Sequence, residues 1–256
     1  MTVRFPLVAA AVVAVVFLFR TPAPAAAQQL VTEPPATYFA SASIVLQGGG
    51  QRLGDAATFP LYDETARFDV AYDLDSGAGF EIGGGAHLWH NVGAGIIIGR
   101  AGGSGEGRIS ASLPHPVLFG APRSAELVTE LDRSERVVHL QAIWTVPVRD
   151  RLDVTVSLGP SFYSVRQQVV TEVFFAEGPE PFRSVVLTGT RQPERSEGAV
   201  GFNLGVDGVY MLTPRIGGGL TLRYSGASVD LPGAAGNDVS VDAGGFQAAV
   251  GVRVRF

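Results

Sequence analysis

The sequence predicts an all-β fold, an eight-stranded antiparallel up-and-down transmembrane β-barrel. Three observations predict it. Apolar residues recur at every second position through most of the chain, the period of strands with one apolar and one polar face. No helical period appears outside the N-terminal segment. Tight turns alternate with long, Pro-rich and charged stretches, as in a membrane barrel with short turns at one end and long loops at the other.

Residues 1–27 read as a signal peptide that is removed. A basic start at Arg4 precedes an apolar run from Phe5 to Phe19, and Ala25-Ala26-Ala27 supplies small residues for cleavage. The run is short for a spanning helix, which needs about 20 residues; a retained anchor is the alternative. Residues 28–36 form a short periplasmic segment, and 37–256 the barrel domain. Strands are expected over roughly 37–48, 77–89, 92–109, 134–147, 152–169, 197–212, 215–229 and 239–256. Leu152, Val154, Val156 and Leu158 alternate with Asp153, Thr155 and Ser157, and Phe202, Leu204 and Val206 with Asn203, Gly205 and Asp207. Leu220, Leu222 and Tyr224 alternate with Thr221, Arg223 and Ser225; the last segment alternates from Phe246 to Phe256. His90-Asn91, 147–151 and 212–215 read as tight turns. The stretches 49–76, 110–133, 170–196 and 230–238 read as long loops, although Phe68 to Leu74 and Arg183 to Thr190 still alternate. Strands are expected to run on beyond the membrane there.

Composition excludes much chemistry. The 256 residues carry a net charge of −5, with 19 basic residues that are all Arg and no Cys. There is no Lys for a Schiff base or a phosphate loop, and no thiolate nucleophile, metal site or disulfide. The acidic balance argues against nucleic acid as partner. Glycine is abundant, at 33 residues, but no G-x-G-x-x-G is complete. His87 and His90 have an odd spacing that faces opposite sides of a strand, so no metal and no cofactor is expected. His115 sits between two prolines in a loop, and His139 points inward by parity. No G-x-S-x-G or H-E-x-x-H appears, and the chain reads as a non-enzyme.

The alternation fits a membrane barrel better than a soluble one because the polar face carries ions: Glu81, Asp153, Asp207, Arg223, Arg253 and Arg255. Lipid offers such groups no partner, so they must face the lumen. Aromatics then fall at two levels on the apolar face. Trp144, Tyr210 and Phe256 form the lower girdle; Phe80, Phe162, Tyr224 and Phe246 form the upper. The inward set adds His87, His139, Gln141, Ser157, Asn203, Thr221 and Gln247. Eight strands leave a bore just wide enough for side chains to fill. Counting up from the periplasmic ends pairs Glu81 with Arg223 at mid-depth and Asp207 with Arg253 below.

The tail Ala248-Ala249-Val250-Gly251-Val252-Arg253-Val254-Arg255-Phe256 resembles the terminal strand of bacterial outer-membrane proteins, and Gly79 to Gly95 resembles the second hairpin region of the "outer membrane protein beta-barrel domain" family, which includes small eight-stranded barrels of the OmpA, OmpX and OmpW shape. The resemblance implies an outer-membrane location. It also implies that Val252, Val254 and Phe256 act as an assembly signal read by the barrel assembly machinery. The partners expected are outer-membrane lipid and lipopolysaccharide, with the chain a monomer. The expected function is structural or surface-interactive, through long extracellular loops over a filled polar lumen. The alternatives are passage of small hydrophobic solutes and lipid modification.

Overall fold

A computed structural model describes residues 37–48, 50–75, 77–234 and 238–256; the expected signal peptide and the 28–36 segment lie outside the described residues. Twelve strands are present among the described residues: β1 (Tyr38–Gly48), β2 (Gln51–Leu61), β3 (Glu64–Leu74), β4 (Gly77–Trp89), β5 (Val92–Leu113), β6 (Arg123–Arg149), β7 (Leu152–Gln168), β8 (Glu172–Glu177), β9 (Val185–Arg191), β10 (Glu194–Met211), β11 (Ile216–Pro232) and β12 (Asp238–Arg255). Eight of them close a ring in the order β1-β4-β5-β6-β7-β10-β11-β12, with β12 paired back to β1 and every pairing antiparallel. The ring is the expected barrel.

Register fixes its shape. Directly opposed residues lead from Arg136 through Arg100, Phe80, Ile44, Val250, Leu220, Gly208 and Val154, then back to β6 at Val146, ten residues below the start. A shear of that size on eight strands tilts them by roughly 40–45°.

The long loops are a correction. Most of the stretches 49–76, 110–133 and 170–196 are strand. β5 and β6 run on well past the end of β4. The β2–β3 hairpin fills the space this leaves by pairing β3 with the upper part of β5, Arg67 opposite Ser112 and Leu74 opposite Gly105. β8 and β9 form a separate hairpin. The physical reason lies in a reversal of the polarity pattern along single strands. On β11, Leu220, Leu222 and Tyr224 face outward and Thr221, Arg223 and Ser225 inward; ten residues on, Ser228 and Asp230 face outward and Val229 and Leu231 inward. On β12, outward Val252, Val250 and Phe246 give way to Asp242 and Ser240, while inward Arg253 and Gln247 give way to Ala243, Val241 and Val239. The facing of each position is unchanged; only the chemistry swaps.

The interior therefore has two storeys. The lower, from the short-turn end upward, is polar. The upper is apolar and close-packed in two clusters: Phe68, Val70, Tyr72, Ile109, Leu113, Leu131 and Val170 in one, and Tyr163, Val165, Val229, Leu231 and Val241 in the other. Three glycines serve the lower storey and its roof. A Cβ on Gly219 would stand 2.7 Å from the Arg253 guanidinium, so this glycine gives Arg253 its room. Gly244 and Gly245 adopt positive φ, +87° and +122°, which glycine tolerates, at the point where β1 ends and β12 continues alone toward β11.

Candidate functional site: the lumen and the distal cap

A ladder of acid–arginine pairs climbs the lumen. Lowest is Arg255 with Asp153. Above it Arg253 grips Asp207 with two donors, at 3.0 and 2.8 Å, and gives further bonds to Ser43 (2.8 Å) and Thr221 (2.8 Å). Next, Arg223 forks onto Glu81 at 2.7 and 3.2 Å and donates to Gln247 at 3.3 Å. Gln247 donates to Gln47 (3.2 Å), Gln47 to Glu135 (3.1 Å), and Arg133 to Glu135 (3.0 Å). Glu81 and Arg223 are 5% and 3% exposed, so the two charges leave water together. Such a pair is tolerated only when its remaining donors and acceptors are filled. The sequence reading places Asp153 and Arg255 on the polar face but does not pair them, and it does not reach Arg133, Glu135, Ser43, Gln47 or Thr145. The same period-two parity that turns Arg253 and Glu81 inward also turns Ser43, Gln47, Glu135 and Thr145 inward.

The other inward residues complete the filling. His139 Nδ1 lies 2.7 Å from Ser161 Oγ, and Asn203 donates to the same hydroxyl at 3.0 Å. Both His139 and Ser161 are fully enclosed, so no lipid ester reaches this pair. Gln141 donates to Ser157 and Asn203, and His87 shares a bond with Thr145 at 3.0 Å. Below Glu81 and Arg223 a cavity of about 80 Å³ remains, bordered by Ser41, His87, Thr145, Thr155 and Asp207. Phe39, Ile97, Ile143 and Val209 supply an apolar part of its wall, and it has room for several waters. Above the same pair, His139, Ser161 and Ser225 and then the apolar clusters occupy the bore.

The outer wall is apolar over the height of the lower storey. Ile44, Phe80, Ile82, Leu158, Leu220, Val250 and Val252 are all exposed. Trp144, Tyr210 and Phe256 stand outward near the short-turn end, joined by Tyr38 and Trp89, while Val254 is half-buried. Phe80, Phe162, Tyr224 and Phe246 stand outward at the upper margin, joined by Phe202. Phe202 packs on Tyr224 with ring centres 5.9 Å apart.

The distal end is tied across three loop tips. Arg123 pairs with Glu177 and donates to Pro114 O (2.7 Å) and Phe182 O (3.0 Å). Tyr62 donates to Glu177 at 3.1 Å, and Gly120 N to Glu64 at 3.1 Å. His115 Nδ1 accepts from Val117 N and Leu118 N, which leaves Nε2 to donate to Pro181 O at 3.0 Å. The expected plain loop histidine is thus buried and organises its loop. What this scaffold holds out is Val117-Leu118-Phe119, with Phe119 84% exposed.

Hydrogen bonds from Arg123 hold the Glu177 carboxyl below the usual carboxylate range, against the opposing pull of burial and with help from Tyr62. A depressed folded value stabilises the cap above the ordinary Glu pKa, and this contribution is lost as pH falls through the depressed value. Amide exchange at Gly178 and Phe182 is therefore expected to accelerate below about pH 4, while amides of the ring strands stay protected. Arg123→Ala should remove the pH step; an unchanged step in that variant would contradict the assignment. In the upper storey, burial pushes the Tyr72 hydroxyl up to about 12, although Val170 N donates to it.

An outer wall of exposed aliphatics between two aromatic rows, around a lumen of paired ions, is the inverse of a water-soluble barrel and defines a transmembrane β-barrel. The chain matches no family model and no curated protein. Among solved structures it is similar to the outer membrane protein OprG from Pseudomonas aeruginosa, at 8% identity over 88% of this chain and 97% of that one, with a TM-score of 0.49. It is similar also to Neisserial surface protein A (12% identity, 88% and 100%, 0.44) and to E. coli outer membrane protein W (11%, 88% and 100%, 0.36).

Proposed function

We propose that the protein is an integral barrel of the bacterial outer membrane. In this reading it is non-catalytic and closed to bulk solutes, and it acts at the cell surface through its distal cap. The observation that carries the reading is the closure of the bore. Four acid–arginine pairs fill the lower storey and two apolar clusters fill the upper one. The cross-tied cap, which holds Val117-Leu118-Phe119 in water, supports a surface role, since a rigid exposed apolar knob is a feature of binding surfaces.

One observation favours a second reading, passage of small hydrophobic solutes. Among the described residues, β2 and β12 share no backbone ladder in the upper storey. Gln51 reaches across to β12, accepting from Asp242 N, and Asp55 accepts from Ala234 N in the connection between β11 and β12. Leu53 on β2 packs against both apolar clusters, so parting this seam would lead to an apolar interior.

Planar-bilayer recordings and liposome uptake test both readings with one preparation. The closed reading predicts no steady porin-sized conductance for the wild type or for Arg223→Ala, and uptake of a hydrophobic dye equal to protein-free liposomes. A porin-sized wild-type channel would overturn it. Dye uptake without ion conductance would replace it with the second reading.

A further inference from the structure

Arg100 on β5 and Arg136 on β6 are directly opposed in register, and both point outward. Like charges directly opposite each other on one sheet face repel. Neither guanidinium has an ion pair or a side-chain hydrogen bond among the described residues. The next outward arginine, Arg166 on β7, already has a partner, with Glu194 at 3.6 Å.

Their height is specific. One step below on the same faces are Ile98 and Val138, the last aliphatics of the outer band, and Phe80 is directly opposite Arg100 on β4. Once the strand tilt is allowed for, the two arginines stand level with Phe162 and Phe246 of the upper aromatic row. Around the rest of the ring that height is occupied by Gly48, Ala78, Val200 and Gly226, none of them charged. Positive charge at this level is thus confined to one sector of the wall, where lipid headgroups begin.

We infer that Arg100 and Arg136 form a binding site for the phosphate group of an outer-leaflet lipid. This inference rests on the membrane reading above. A phosphate monoester placed between the two strands turns the repulsion into two charge-assisted contacts, and a planar guanidinium offers paired donors that match phosphate oxygens. Ser164, directly opposite Arg136 and on the same outward face, supplies a neutral donor beside them. The ligand class is a lipid whose headgroup carries a phosphate monoester, its acyl chains lying on the aliphatic band below.

The test uses the full barrel in dodecyl maltoside, a detergent without phosphate. Binding of bis-phosphorylated lipid A is compared with binding of the same lipid after enzymatic dephosphorylation, and with inorganic phosphate as competitor. The wild type is expected to bind the phosphorylated lipid at least about tenfold more tightly than the dephosphorylated one. Arg100→Gln/Arg136→Gln should erase that preference while keeping the heat-modifiable migration of a folded barrel, and Arg100→Lys/Arg136→Lys should retain part of it. Equal affinity of wild type and the glutamine variant for the phosphorylated lipid would overturn the site. Displacement of the lipid by an equal concentration of inorganic phosphate would overturn the lipid as its source. A wild type that fractionates with membranes yet shows no preference sinks this site alone; one that does not fractionate with membranes sinks the membrane reading as well.

Discussion

Replacing Glu81 by alanine is expected to lower the unfolding free energy of the barrel by about 3–5 kcal/mol, the largest loss of any single lumen substitution. The variant leaves Arg223 enclosed by protein at mid-depth, with Gln247 as its remaining side-chain acceptor at 3.3 Å. An arginine does not shed its charge by losing a proton, so the cost falls on the fold. Removing both charges is a different experiment. Glu81→Gln/Arg223→Met leaves no orphaned ion and keeps much of the volume, and it should recover most of the loss. Equilibrium unfolding in urea, followed by tryptophan fluorescence from Trp89 and Trp144, measures the three proteins side by side. A Glu81→Ala barrel as stable as wild type would mean that water or another acid reaches Arg223, and the bore would then not be filled at that depth. The lower pair offers a graded comparison. Asp207 is 22% exposed and borders the cavity, so solvent there softens the loss of its charge, and Asp207→Ala should cost less than Glu81→Ala.

Much of this lumen was legible from parity alone. Once Leu220, Leu222 and Tyr224 are assigned to one face of a strand, Thr221, Arg223 and Ser225 must take the other. The same reasoning sends Glu81 and Asp207 inward. Depth could also be counted, because every ring strand has one end at the short-turn side. Parity and depth suggest the Glu81–Arg223 and Asp207–Arg253 pairs, but not the partners beyond them. Gln247 and Gln47, which join the Glu81–Arg223 pair to Glu135 and Arg133, belong to opposed positions on β12 and β1, and their contact depends on a ring closed with a shear of ten.

The upper storey was hidden for a different reason. Reading for one apolar face that points outward stops where the outward residues become polar, which is where β5, β6, β11 and β12 leave the aromatic row. Beyond that row the alternation persists with its chemistry exchanged: Leu231 and Val229 share the facing of Arg223, and Asp230 shares that of Leu222. The stretch 110–133 carries the same signal in Glu126, Glu130 and Asp132 against Ala125 and Leu131. Charges and prolines made these segments look like loops, when in a strand surrounded by water a charged outer face is the ordinary pattern. The cap was legible only in part. Nothing in the local sequence announces that Arg123, nine positions after Pro114, will gather Glu177, Phe182 and Pro114 around one guanidinium, because those contacts join segments some sixty positions apart, as Arg123 and Phe182 are.

Leu220 and Val128 are nearly equally exposed, at 55% and 54%, and they separate a wall that faces lipid from one that faces water. Leu220 lies at mid-height of the aliphatic band; Val128 lies on the outward face of β6 above the upper aromatic row. With the barrel refolded into phospholipid vesicles, Leu220→Arg is expected to cost about 2–4 kcal/mol of unfolding free energy, the penalty for an arginine near the bilayer midplane. Val128→Arg should change it by no more than about 0.5 kcal/mol, as for an ordinary surface site. If both arginines were tolerated alike, the aliphatic band would not be in contact with lipid.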